Sequence, residues 1–410
     1  MDLTKKRWQV LIASCLINLC IGSLYAWSVF ASPMAAYISE LKGLSLTASD
    51  LAIVFTVANS VGPITMISGG KLNEILGTKK VVLIGGLMFG GGMLLSGFAT
   101  DKTLLIIGYG LLSGLGMGAA YGCTITNTVK FFPDKKGLIG GIATASYGLS
   151  SVLMPPIANA LINTFGVTHA FKVIGLVFMV LIAVCSFFIE KCPDGFVPEG
   201  MAAPVPAGSS AGAPAARDKN WKEMLASPVF YVMIIMMTCG AFSGMMCISQ
   251  TSNIAQTNIG LGTGTAAIMV SLLALFNAAG RVGAGYISDR IGRIGTLRIA
   301  LVLSLAGLAI LYFCQTNMVV LFVVGIACIG MSFGSFMGVY PGFTSEQFGS
   351  RHNGVNYGIM FIGFAFAGCF GPTVMGMLLG QTGSYAPAFL VAAIISACGL
   401  GLSWLYNKFK

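Results

Sequence analysis

One arginine, Arg281, lies inside a long apolar stretch, eight residues before the charged pair Asp289-Arg290. Two helical turns rise roughly 11 Å, and half the hydrocarbon of a bilayer is about 15 Å. A cation at such depth costs about 2.5–3.5 kcal/mol on insertion scales. An internal ion pair is the ordinary way to offset that cost. Yet all thirteen acidic residues can be placed outside the apolar stretches, and Asp289 is too far along the helix for easy contact. A guanidinium offers a planar fork that fits a carboxylate through two hydrogen bonds. The chemistry these residues point to is capture of a diffusible carboxylate; the alternative is snorkelling with contacts to carbonyl oxygens. Asn277 lies four residues before Arg281 and shares its helix face. It can orient the guanidinium or accept from it.

Other chemistry has little to build on. The apolar stretches contain no metal-ligand cluster, no Ser/His/Asp set and no paired carboxylates, so neither an enzyme nor a cofactor or metal is expected. All of the eleven cysteines except Cys192 lie in apolar stretches, without a CxxC, and read as unpaired small hydrophobes. His169 and His352 read as surface groups in loops near helix ends.

These residues need a membrane scaffold to position them. Of 410 residues 56% are hydrophobic and only 9% charged, against roughly 25% charged in soluble domains. Such a chain cannot clothe itself in water. That excludes a disordered protein, a nucleic-acid reader built on basic patches and an ordinary soluble enzyme. The 55 glycines suit membrane helices that approach closely. Apolar runs near 8–30, 51–70, 81–99, 103–127, 138–163, 170–189, 228–250, 263–287, 299–316, 318–342, 355–380 and 386–406 predict twelve spanning helices. They are too long for the strands of a β-barrel. No cleavable signal peptide is expected.

With the N-terminus in the cytoplasm, nineteen of the 23 Lys and Arg residues fall in cytoplasmic segments. Lys42, Lys102 and Lys172 fall outside, and Arg281 remains in a span. This bias predicts cytoplasmic N- and C-termini in a plasma (inner) membrane. Residues 193–218 are rich in Pro, Ala, Gly and Ser and read as a flexible linker. After it, Trp221, Met224 and Leu225 alternate with Lys219, Lys222 and Glu223, a spacing that suits a short helix on the inner membrane surface. The expected organisation is an N-terminal six-helix bundle over 1–190, a cytoplasmic linker over 191–227 and a C-terminal six-helix bundle over 228–410.

The halves repeat. Gly70-x-Leu72-x-Glu74-x-x-Gly77-x-Lys79-Lys80 follows span two, and Gly285-x-x-x-Asp289-Arg290-x-Gly292-Arg293 follows span eight, with leading glycines 215 residues apart. Pro156 and Pro372, and likewise Phe132 and Phe348, are 216 apart. Duplicated halves of this kind mark transporters.

The loop pair resembles the signature loop of the major facilitator superfamily, over the whole chain. The resemblance implies an all-α membrane protein, with twelve transmembrane helices in two pseudo-symmetric six-helix bundles. Glu74, Lys79 and Lys80, with Asp289, Arg290 and Arg293, would form a charge network that locks and releases the halves. A finer set is Gly22-Ser23-Leu24-Tyr25-Ala26-Trp27-Ser28, Tyr121-Gly122, Phe131-Phe132-Pro133-Asp134-Lys135-Lys136-Gly137-Leu138, Ser146-Tyr147-Gly148-Leu149, Asn277-Ala278-Ala279-Gly280-Arg281 and Asn356-Tyr357-Gly358. Together these resemble the oxalate/formate antiporter family, related to the monocarboxylate transporters. There the arginine matching Arg281 binds the substrate carboxylate.

Two departures bear on the substrate. The oxalate exchanger of that family carries a span-eleven lysine where this chain has Phe364, and a span-one glutamine where it has Leu24. One cation beside a phenyl ring and a leucine suits a monoanion with an apolar end, such as lactate or pyruvate. The remaining candidates lie on spans that line the central cavity in the superfamily: Tyr25, Tyr121, Thr124, Tyr147, Phe333, Tyr340 and Phe361. A tyrosine can offer its hydroxyl to a carboxylate or α-hydroxyl.

The resemblance thus implies a secondary transporter of a small monocarboxylate working by alternating access, as a monomer and without a nucleic-acid partner. Proton symport is expected, with anion exchange as the alternative. Monocarboxylate transporters carry an aspartate where this chain has Asn277, and no midspan carboxylate or histidine stands in for it. A non-transporting carboxylate sensor is the reading from a different class.

Overall fold

The computed structural model describes residues 3–199 and 218–409. Among them it is all helix and contains no strand. Twelve helical spans are long and apolar enough to cross a bilayer. The first is compound: α1 (Leu3–Ile21), a 3-10 turn at Gly22–Ala26 and α2 (Trp27–Lys42). It outruns the expected 8–30 because α2 continues through Ser39, Glu40 and Lys42, until Gly43 turns left-handed at φ 63°. Apolar length measures the hydrocarbon, not the helix, so the hydropathy pattern stops short.

Spans two and three are α3 (Ala52–Leu76) and α4 (Thr78–Ser96). Span four joins α5 (Lys102–Leu105), a π-helical turn at Ile106–Ser113 and α6 (Gly114–Phe131). Asp101 caps it by accepting from the Leu104 N–H at 2.8 Å, which holds its carboxyl below the usual carboxylate range. Spans five and six are α7 (Lys136–Phe165) and α8 (Val167–Ser186). The expected short helix is α9 (Trp221–Leu225), closed by a capping box between Asn220 and Glu223. The read linker lies, over 200–217, outside the described residues.

The second half follows the same plan. It contains α10 (Pro228–Thr257), α11 (Thr263–Ile291), α12 (Arg293–Phe313) and α13 (Val319–Phe348). Span eleven is broken at Phe361 into α14 (Asn353–Met360) and α15 (Ile362–Thr382), and α16 (Ala386–Phe409) closes the chain. The loop motifs show the repeat in the backbone. Gly77 ends α3 at φ 82°, ψ 154°, and Gly292 ends α11 at φ 85°, ψ 160°. That conformation is essentially open to glycine alone.

The chain forms two compact units. Unit 1 holds Met1–Asp134, Ser146–Asp218 and Ser345–Ile359; unit 2 holds Lys135–Ala145, Lys219–Thr344 and Met360–Lys410. Each unit thus follows one half of the sequence, except for a short segment at the start of span five and another leading into span eleven. In unit 1, α4 packs on α8 and α6, and α3 packs on α6. Gly86 and Gly90 of α4 lie directly against Ile182 and Gly175 of α8. Contact this close is what holds helices together where lipid is as apolar as the side chains. In unit 2, α10 packs on α15 and α16, and α12 on α16. A buried hydroxyl chain, Ser243 to Ser304 at 2.9 Å and Ser304 to Ser396 at 3.2 Å, ties α10, α12 and α16.

Candidate functional site

Arg281 sits on α11 in unit 2, 2% exposed, with Asn277 one turn earlier at 7%. Its burial follows from glycines on two neighbouring helices. A Cβ at Gly141 of α7 or Gly338 of α13 would collide with the Arg281 carbonyl oxygen, and one at Gly334 with the Asn277 carbonyl oxygen. Small residues on both sides let the backbones close over the guanidinium.

The side chain is held, not paired with an acid. Its Nε donates to Asn277 Oδ1 at 3.1 Å, and Nη1 donates to the Thr144 carbonyl oxygen on α7 at 2.6 Å. No carboxylate among the described residues lies within ion-pair distance of it. Nη2 donates to no acceptor among the described residues. A guanidinium has five N–H donors, so the two recorded bonds fix its plane and leave one arm unspent. A guanidinium with donors to spare can receive an anion whose two oxygens match the fork.

Three phenyl rings form a second cluster in unit 2. Phe361, at the break between α14 and α15, lies 4.5 Å from Phe364 between centroids, and Phe333 of α13 lies 6.2 Å from Phe364. Unit 1 gathers the tyrosines. Tyr147 of α7 meets Tyr121 of α6 edge-on at 4.9 Å and Tyr25, in the 3-10 turn, at 5.4 Å. Three further candidates are engaged in packing. Leu24 is fully buried, and its carbonyl oxygen accepts from the Tyr109 hydroxyl at 2.9 Å. Thr124 donates to Asn18 Oδ1 at 2.8 Å, and the fully buried Tyr340 donates to the Met233 carbonyl oxygen at 2.7 Å.

The loop charges divide. Asp289 accepts from the backbone N–H groups of Gly137 and Leu138, at 2.8 and 2.9 Å, and pairs with Arg293 at 2.8 Å. An acid there satisfies amides that the first turn of α7 leaves unbonded and meets the positive end of its dipole. Arg293 also donates to Ser288 Oγ. Glu74 pairs with His352 Nδ1 at 2.9 Å. Lys79 and Arg290 cover the rings of Phe187 and Tyr286, at 4.5 and 4.1 Å, and Lys80 is exposed.

Sequence reasoning missed the Thr144 carbonyl, the Gly137 and Leu138 amides and the partnership of His352. The first two are backbone groups, which no residue type announces. His352 carried a faint signal: at the 215-residue offset it falls on Gly137, whose N–H meets Asp289.

Comparison with known proteins places this geometry. The profile of the Major Facilitator Superfamily matches residues 15–372. An uncharacterised transporter of that superfamily from Escherichia coli, YhjX, is 30% identical, over 88% of this chain and 85% of the relative. The oxalate:formate antiporter of Oxalobacter formigenes is 28% identical, over 97% and 90% respectively. Monocarboxylate transporter 12 of Xenopus laevis is 23% identical, over 98% and 90%. The crystal structure of the superfamily transporter FucP superposes with a TM-score of 0.71 at 14% identity, covering 97% of this chain and 98% of that one. The twelve spans, the duplicated glycine-ended loops and a profile match over most of the length agree that this chain is a multi-pass membrane transporter belonging to the Major Facilitator Superfamily.

Proposed function

We propose that the protein carries a small monocarboxylate of the lactate or pyruvate kind across the inner membrane by alternating access, coupled to a proton. The observation that carries this reading is Arg281, buried and, among the described residues, without an acidic partner and with no acceptor recorded for Nη2. In this account one carboxylate oxygen accepts from Nη2 and the other competes with the Thr144 carbonyl oxygen for Nη1, while Asn277 holds Nε in plane. Phe333, Phe361 and Phe364, which lie in the same unit as Arg281, supply an apolar wall for the alkyl end. Binding neutralises the buried charge, so a loaded transporter reorients with less desolvation cost than an empty one. The cytoplasmic termini rest on the Lys/Arg distribution, and a monomer suffices for the two-unit mechanism.

One cation and a phenyl cluster favour a monoanion over oxalate. A second reading, anion exchange, is favoured by the lack of any midspan acid or histidine in the sequence to carry a proton. Counterflow in proteoliposomes with formate, acetate, pyruvate, both lactates and oxalate as competitors separates the substrates. Lactate or pyruvate is expected to outcompete oxalate at equal concentration; the reverse order contradicts the charge argument. Proton uptake that tracks substrate uptake supports symport, and its absence supports exchange.

A further inference from the structure

Unit 1 contains a polar cavity of about 210 Å³ where the end of α3, the end of α6, the stretch after α8 and the segment before α14 converge. Six side chains with ionisable acid, base or imidazole groups line it, Glu74, Lys130, Lys191, Asp194, Arg351 and His352, together with the Cys192 thiol. The segment 345–359 is tied down here by several bonds. Arg351 N–H donates to Asp218 Oδ1 at 3.1 Å, and Lys130 Nζ donates to the Arg351 carbonyl oxygen at 3.1 Å. Beside the segment, Lys191 Nζ donates to the Glu74 carbonyl oxygen at 3.3 Å, a bond within the cavity wall. A further tie is His352 Nδ1 to Glu74 Oε1, with the two side chains 29% and 44% exposed.

The repeat supplies the contrast. In unit 2 the matching acid, Asp289, grips backbone amides and an arginine, none of which changes charge near neutral pH. In unit 1 that place is taken by an imidazole, the side chain that titrates between about pH 5 and 8. We infer that His352 and Glu74 form a proton-binding regulatory site that ties the segment leading into span eleven to unit 1 more firmly as this end of the molecule is acidified.

Glu74 lies 2.9 Å from His352, and Asp194, Lys130, Lys191 and Arg351 line the same cavity. Cys192, which also lines the cavity, stays neutral, because burial pushes its thiol up to about 12. With the imidazole protonated the contact is an ion pair; with it neutral, at most a neutral hydrogen bond. The cavity is polar and partly open, so protons and water reach the pair without passing the carboxylate site. The inference is independent of which anion is carried.

Hydrogen–deuterium exchange of the full chain in nanodiscs tests it without any substrate, after correction for the pH dependence of the intrinsic rate. For a half-exposed pair, peptides covering 345–359 are expected to gain about two- to five-fold protection between about pH 7.5 and 5.5. The H352Q protein is expected to lose that slope, and E74Q to lose it as well. H352K, which keeps a charge at both pH values, is expected to stay protected throughout. A wild-type protein without the slope, or an H352Q protein that keeps it, overturns the proposal. Because the readout involves no transport, its failure is separate from any failure of the carboxylate reading.

Discussion

Arg281 gains its meaning from what surrounds it, not from its type alone. Asn277 and the Thr144 carbonyl oxygen hold two of its donors, and the glycines of α7 and α13 keep bulk away from it. The sequence made its depth and its want of an acid legible, because charge is rare enough here for every acid to be placed. It could not show Thr144, since the acceptor is backbone on another helix and contact across some 140 residues has no local signature. The same limit hid His352, whose partner lies 278 residues away. Cys192 offers a prediction at this scale. Its thiol is pushed up to about 12 by burial, with Lys130 the chief opposing influence. At pH 8 only about one molecule in ten thousand then carries the reactive thiolate. Maleimide labelling of a variant in which Cys192 is the sole cysteine is expected to be negligible on a timescale that modifies an ordinary surface thiol fully. Prompt labelling would mean that the stretch after α8 does not pack as described.

Among the elements, the paired loops after α3 and α11 carry the clearest information. Both end on a glycine with φ above +80°, and both place an acid three residues earlier, Glu74 and Asp289. The motif glycines were readable, and the physical reason is now explicit: Gly77 and Gly292 adopt a conformation that any Cβ strains. Replacing Gly292 by alanine is expected to cost about 1–3 kcal/mol, seen as a lower unfolding temperature in detergent. Gly91→Ala is the control. That glycine lies within α4 with nothing near its would-be Cβ, so the change is expected to be neutral or mildly stabilising. Equal effects of the two would remove backbone strain as the explanation. Helix ends were less legible than helix existence. The continuation of α2 to Lys42 and the break of span eleven at Phe361 depend on caps and packing that the hydropathy pattern does not record.

At the scale of the whole molecule, duplication explains most of the architecture. The sequence offsets of 215 and 216 residues reappear as matched helix ends and matched acids. The halves are not identical in their chemistry, however. Unit 2 carries the buried arginine and the phenyl cluster, while unit 1 carries the tyrosine cluster and the histidine tie. The units also depart from the plain halves of the chain, because Lys135–Ala145 belongs to unit 2 and Ser345–Ile359 to unit 1. The first of these segments is held at its start by Asp289 and near its end by Arg281. On the proposed reading, an anion that takes Nη1 from Thr144 would loosen the segment at the end where the anion binds. This gives binding a route to motion that needs no second ligand.

The central claim is that Arg281 receives the substrate carboxylate through its fork. It is tested most directly by lactate or pyruvate counterflow in proteoliposomes with Arg281→Lys, beside a thermal unfolding measurement on the same preparation. Lysine keeps the charge and loses the planar pair of donors. A loss of one bidentate hydrogen bond predicts transport reduced about tenfold or more, in a protein that still folds and unfolds cooperatively. An Arg281→Lys protein that transports at the wild-type rate and affinity would contradict the account.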